Sequence, residues 1–169
     1  MLSLINELRN ADVITESGRI SNSAGLFEGQ IFIDEGKSRQ ISITPDRKLN
    51  LTQWDIRELQ KAKGAIRAAM DILMDKLGLA PSDMQRMILT GSFGGQIDID
   101  AALGLGMIPP VRRETVEMVA NGAGFGAATF LTDEGFARAE SIAAASEQVD
   151  LDMDTNFIQH YIAAMALKP

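Results

Sequence analysis

The chain has 169 residues, 46% hydrophobic and 23% charged, with 16 Lys+Arg against 23 Asp+Glu and a net charge of −7. That is the balance of a globular domain with a core of its own; it argues against nucleic acid as the main partner, and no apolar run is long enough to span a membrane. There is no cysteine and one histidine, His160, which excludes disulfides, thiol catalysis, thiolate or cysteine-ligated cluster sites, and a histidine metal cluster.

In chain order, the first segment, residues 2–10, reads as an amphipathic helix with Leu4, Ile5 and Leu8 inward. It lacks the basic start and cleavage site of a leader, so a cytoplasmic location is expected. A polar Ser/Asn/Gly stretch follows. Two alternating runs, 26–33 and 39–43, flank Gly36-Lys37-Ser38. That triplet is no P-loop, because Ile31 stands where the P-loop glycine belongs; it reads as the tip of a β-hairpin. Ile31, Ile33, Ile41 and Ile43 are candidates for an exposed edge that pairs with another chain.

A long helix is expected over Gln53–Leu77. Thr52 is its N-cap with Asp55 as capping-box partner, and Leu51 can staple onto Ile56. Apolar residues recur at Ile56, Leu59, Ile66, Met70, Leu73 and Leu77. Lys63 stands where the stripe calls for an apolar residue, Gly64 removes bulk beside it, and Arg67 is a like charge one turn on. Two readings stand: this segment faces an anionic ligand, or Lys63 snorkels to solvent while Gly64 permits a close helix crossing.

A strand at 86–90 leads into a first glycine run, Met87-Ile-Leu-Thr-Gly-Ser-Phe-Gly-Gly95. A short helix starts near Asp98 and stops by Gly106. A strand at 116–120 leads into a second run, Val116-Glu-Met-Val-Ala-Asn-Gly-Ala-Gly-Phe-Gly126, and another helix. Glycine after a strand permits a sharp turn and close approach of a ligand to the backbone. A helix N-terminus there favours anions. Two such turns suggest a phosphate-bearing ligand, although the spacing is not that of a dinucleotide-binding fingerprint. Helices at 134–146 and 154–167 and a short strand at 148–151 complete an α/β pattern with an at least partly parallel sheet. Asp150, Asp152 and Asp154 lack the glycine and glutamate of a calcium loop. Asp98 is more simply a helix cap than a Mg²⁺ ligand, and one histidine supports no Ser–His–Asp set. Phe93, Phe125 and the methionines read as packing residues.

Together these stretches resemble a known family. Gln53-Trp-Asp-Ile-Arg-Glu-Leu-Gln-Lys-Ala-Lys-Gly-Ala-Ile-Arg67 is similar to the "T-Q-x-D-I-R-E-L-Q-x-A-K-x-A-I-R" helix of the reductive activators of corrinoid proteins. Ile88-Leu-Thr-Gly-Ser-Phe-Gly-Gly95 resembles their "L-A-G-A-F-G" turn, and Ile97–Pro109 their "I-D-P-x-x-A-L-x-I-G-L-L-P". Asn121-Gly-Ala-Gly-Phe-Gly-Ala127 resembles "G-N-A-A-G-x-G-A" in altered form, and Asn156–Met165 their "D-F-x-x-x-F-V-E-A-M".

The resemblance implies a partial actin-like, ribonuclease H-like ATPase lobe with a mixed sheet flanked by helices. Residues 1–169 would be its C-terminal portion within a longer protein, the hairpin at about 26–43 a connecting element. It implies ATP with Mg²⁺, and a [2Fe–2S] cluster in an N-terminal ferredoxin-like domain outside this chain. The partner would be a corrinoid protein, reduced from Co(II) to Co(I) for methyl transfer. Carried over, Gly91, Ser92, Phe93 and Gly94 would touch the nucleotide, with Asn121 and Gly122 in the second turn. Gln60, Lys63, Gly64 and Arg67 would form a second wall. Half a nucleotide site is expected to fold, to hydrolyse ATP negligibly alone, and to self-associate as a homodimer. The alternatives are a dimerisation or partner-binding module of an iron–sulfur protein and a lobe of a small-molecule kinase.

Overall fold

The structure, a computed structural model, describes residues 1–21, 29–91, 96–151 and 153–169. Helix α1 spans Leu2–Asn10. Strands β1 (Ile31–Ile33), β2 (Arg39–Ser42) and β3 (Asn50–Thr52) form an antiparallel sheet in that order. The long helix α2 spans Gln53–Leu77. Strand β4 (Met87–Gly91), helix α3 (Ile99–Gly104) and strand β5 (Val116–Ala120) follow. Three helices close the chain: α4 (Gly122–Thr129), α5 (Asp133–Ala145) and α6 (Phe157–Ala164). β4 and β5 pair in parallel, Met87 opposite Val116 and Gly91 opposite Ala120.

Local chemistry sets the ends of α2. The Asp55 amide donates to Thr52 Oγ1 at 3.1 Å, and the Thr52 amide donates to Asp55 Oδ2 at 2.9 Å, a complete capping box. Gly78 ends the helix in a left-handed conformation at φ 65°. The Gly36-Lys37-Ser38 triplet is the tip of the β1–β2 hairpin: the Asp34 amide donates to Ser38 O at 3.0 Å and the Ser38 amide to Asp34 Oδ1 at 2.8 Å. The hairpin reading missed β3, whose Leu51 pairs with Ile41. Ile41 is buried and Ile31 packs against the core, so of the four isoleucines only Ile33 and Ile43 are exposed. One face of this sheet is core, and β1 and β3 are its outer strands.

Two apolar clusters carry the packing. The first gathers Ile5 and Leu8 of α1, Val13, Ile14, Ile20, Ile41, Leu51, Ile56, Leu105 and Leu167. The second gathers Ile99, Ala102, Ile108, Val111 and Val116, with Met70, Met87 and Leu89 against it. α6 packs along α2.

This contact corrects the apolar stripe. Ile66, Leu73 and Leu77 are exposed, whereas Gln60, Lys63, Gly64, Ala68 and Ile72 are buried. Gly64 lets α6 approach closely, so α2 buries this face as well as the stripe positions Ile56, Leu59 and Met70, which pack into or against the two clusters. Two further expectations change. Residues 148–151 form no strand, since a four-residue run holds that conformation only by pairing. The last helix is shorter than 154–167. Asp154 caps its approach by accepting from the Asn156 amide at 2.9 Å, and the chain beyond Met165 leaves the helix so that Leu167 enters the first cluster. Among the described residues no helix is long and apolar enough to cross a membrane.

Candidate functional site

β4 and β5, the strands that open the two glycine runs, end side by side, with Gly91 opposite Ala120. Gly91 ends β4 with φ 88°, a conformation that side-chain-bearing residues rarely adopt, and among the described residues, its chain neighbours aside, no atom lies within 4 Å of where its Cβ would stand. β5 ends one register step away in Asn121, itself left-handed at φ 52°. Its side-chain oxygen accepts from the Gly124 amide at 3.2 Å, capping α4. The hydroxyl of Thr90 accepts from the Gly122 amide at 2.9 Å, which ties the second turn to the strand carrying the first. Thr90 was not among the residues expected here; a hydroxyl directly before the turn glycine was the available signal. Ser92, Phe93 and Gly94 lie outside the described residues. Asn121→Ala removes the cap and leaves a side chain in the left-handed region. It is expected to cost about 1–2 kcal/mol by chemical denaturation.

The other expected residues assemble on one face of α2. Gln60 Nε2 donates to Met165 O at 2.7 Å and to Ser17 O at 3.2 Å. Lys63 Nζ donates to Ala164 O at 2.6 Å and to Gly106 O at 3.4 Å. Arg67 pairs through Nε with Asp71 at 2.8 Å and donates through Nη1 to Ile108 O at 3.3 Å. A Cβ at Gly64 would lie 3.3 Å from Met165 Cγ and 3.4 Å from the Tyr161 carbonyl, so α6 sits on that glycine. Lys63 is 1% exposed. Burial, then the neighbouring Arg67 charge, lowers its pKa to about 8. Apart from the Arg67–Asp71 pair within α2, these hydrogen bonds run to the C-terminal segment, the Ser17 turn or the loop after α3, not to the strand ends.

Nearby charges are accounted for locally. The Asp98 carboxylate accepts from the Ala101 amide at 3.1 Å as the cap of α3, and this bond, then one from Ser3, holds it below the usual carboxylate range. His160 was expected to be a packing or solvent residue. Its Nε2 stands 3.2 Å from Asp75 Oδ2 and joins α6 to α2.

The family model for the C-terminal domain of RACo, the ASKHA domain, matches residues 1–169. The chain is 30% identical over 137 residues to the corrinoid activation enzyme RamQ of Eubacterium limosum, covering 77% of this chain and 23% of that protein. It is 29% identical over 104 residues to the [Co(II) methylated amine-specific corrinoid protein] reductase of Methanosarcina barkeri, covering 62% of this chain and 19% of that one. Among solved structures, a reductive activator for a corrinoid, iron-sulfur protein shares the fold with a TM-score of 0.82 at 24% identity, over 98% of this chain and 27% of that one. The chain thus spans about a quarter or less of the length of these proteins. It belongs to the family of the C-terminal ASKHA domain of RACo.

Proposed function

We propose that this chain is the nucleotide-binding C-terminal region of an ATP-dependent reductive activator, which returns a corrinoid protein from Co(II) to Co(I) for methyl transfer. The observation that supports it best is that β4 and β5 end side by side, each followed in sequence by a glycine run, in a chain that matches its family over residues 1–169. The left-handed backbone at Gly91 fits the close approach of a phosphate, and the dipole of α4 favours an anion, while its Gly122 and Gly124 amides are taken by Thr90 and Asn121. Asn121 and Thr90 hold the second turn against the first. Ser92, Phe93 and Gly94 continue the first turn in sequence. Gln60, Lys63, Gly64 and Arg67, the second wall that the resemblance implies, make their bonds away from the strand ends and so support this site indirectly, by holding α6 and the loop after α3 on α2. Mg²⁺–ATP, when bound, supplies the free energy that the activator couples to corrinoid reduction. A [2Fe–2S] cluster finds no ligands here, since the chain has no cysteine, and no electron step is assigned to these residues.

Calorimetry with Mg²⁺–ATP tests the site. Gly91→Val forces a β-branched residue into a left-handed turn and places bulk where a phosphate must approach. Its affinity is expected to fall at least tenfold while the circular dichroism spectrum is retained. Unchanged affinity would move the site away from the strand ends.

One observation favours a second role, as a surface for a partner or a second copy. α4 and α5 bury no residue, and Phe125, Phe130, Leu131, Phe136 and Ile142 are all exposed. Light scattering is expected to show self-association that Leu131→Glu with Phe136→Glu abolishes. A single-chain mass across a wide concentration range would refute it.

A further inference from the structure

The buried face of α2 has a peculiarity that nucleotide binding alone does not explain: its donors are spent on main-chain carbonyls of two distant segments. Lys63 takes Gly106 O in the loop after α3 and Ala164 O at the end of α6, partners 43 and 101 residues away in sequence. Gln60, one turn earlier, takes Met165 O. Arg67, one turn later, takes Ile108 O. An ammonium that is 1% exposed and shared between two carbonyls reaches a phosphate only by leaving both unpaired.

We propose that Gln60 and Lys63 are positioning residues. They clamp the C-terminal segment and the loop after α3 onto α2, and so hold the end of α3, without touching nucleotide themselves. The chain of support is continuous. α3 is fixed at its start by the Asp98 cap, directly after the first glycine run, and at its end by the Lys63 and Arg67 bonds to Gly106 and Ile108. The C-terminal segment is fixed from its other side, where Arg9 Nε donates to Leu167 O at 3.3 Å and the Leu167 amide donates to Glu16 O at 2.7 Å. Lys63 lies where these two held segments meet. The link to nucleotide rests on the function proposed above; the clamp does not.

The test measures amide exchange by mass spectrometry without nucleotide, and calorimetric affinity for Mg²⁺–ATP and for adenosine, on residues 1–169. Lys63→Met is expected to raise exchange at least tenfold both at Met107–Ile108 and at Met165–Leu167. It is expected to weaken ATP and adenosine by the same factor. Gln60→Ala, which loses the bonds to Met165 O and Ser17 O but none to the loop after α3, is expected to raise exchange at Met165–Leu167 and leave Met107–Ile108 unchanged, and it serves if Lys63→Met does not fold. Unchanged exchange in these variants overturns the clamp, whatever happens to nucleotide. A loss of ATP affinity with adenosine unaffected also overturns it, since that pattern marks direct contact with phosphate. If the wild-type chain binds neither ligand while the exchange results hold, the clamp stands without its link to nucleotide.

Discussion

Lys63→Glu is expected to unfold the chain or to destabilise it by about 4 kcal/mol or more. The substitution replaces a donor by an acceptor opposite two carbonyls, Gly106 O and Ala164 O, at a position 1% exposed. A buried carboxylate there has no bond to make with either, and both carbonyls lose theirs. Lys63→Met should be much milder. Its two orphaned carbonyls cost about 1–3 kcal/mol each, but burying a thioether avoids the cost of desolvating a charge. Urea denaturation of the two variants beside wild type measures the order, and equal stability of the glutamate and methionine variants would refute it.

The same lysine gives stability a pH dependence with a definite sign. Its pKa is about 8 in the folded chain against 10.5 for an ordinary lysine. Below about pH 8 both states hold the proton. Between about 8 and 10.5 the unfolded chain still binds a proton that the folded chain has released, so this group makes stability rise with pH, by up to about 1.4 kcal/mol per unit. The charged groups around it are Arg67 on its own helix, Asp71 paired with Arg67, and Lys168 of the C-terminal segment, which lies 3.9 Å from Glu16. Subtracting the pH profile of Lys63→Met from that of wild type isolates the contribution. A difference that is flat from pH 8 to 10 would count against a buried, discharging Lys63.

Much of this was legible from local chemistry. Thr52 and Asp55 announce the start of α2 because a capping box needs only residues three apart. Gly91 and Asn121 announce turns because few residues tolerate a left-handed backbone. The anomaly at Lys63 and Gly64 was visible as a break in the apolar stripe. Its partner was not, because periodicity marks a position as unusual without saying which segment, about a hundred residues on, will pack there. For the same reason the stripe itself misled. Ile66 and Leu73 fit the 3–4 spacing, yet α6 lies on the Gly64–Ala68 side. β3 and the absent strand at 148–151 fail from a common cause: a three- or four-residue strand is defined by its neighbour, and pairing is not a local property. The parallel pairing of β4 with β5, which ends both strands side by side, is what alternating strands and helices do foretell.

Deleting residues 167–169 is expected to cost about 3–6 kcal/mol, although it removes only the last three residues. Leu167 is fully buried among Ile5, Leu8, Ile14, Ile20 and Leu105. Its amide donates to Glu16 O and its carbonyl accepts from Arg9, so the deletion opens a cavity and orphans polar groups together. Leu167→Ala separates these effects. It keeps the main-chain bonds and should cost about 2–5 kcal/mol by the cavity and lost transfer energy alone. Ile158 and Ile162 provide the internal control. They lie on α6 but are 68% and 59% exposed, so their alanine variants should stay within about 0.5 kcal/mol of wild type. Thermal melts of the four variants rank them directly. If Leu167→Ala proves no more damaging than Ile162→Ala, then Leu167 does not anchor the C-terminus in the first cluster, and the fixed outer end on which the Gln60–Lys63 clamp depends is lost with it.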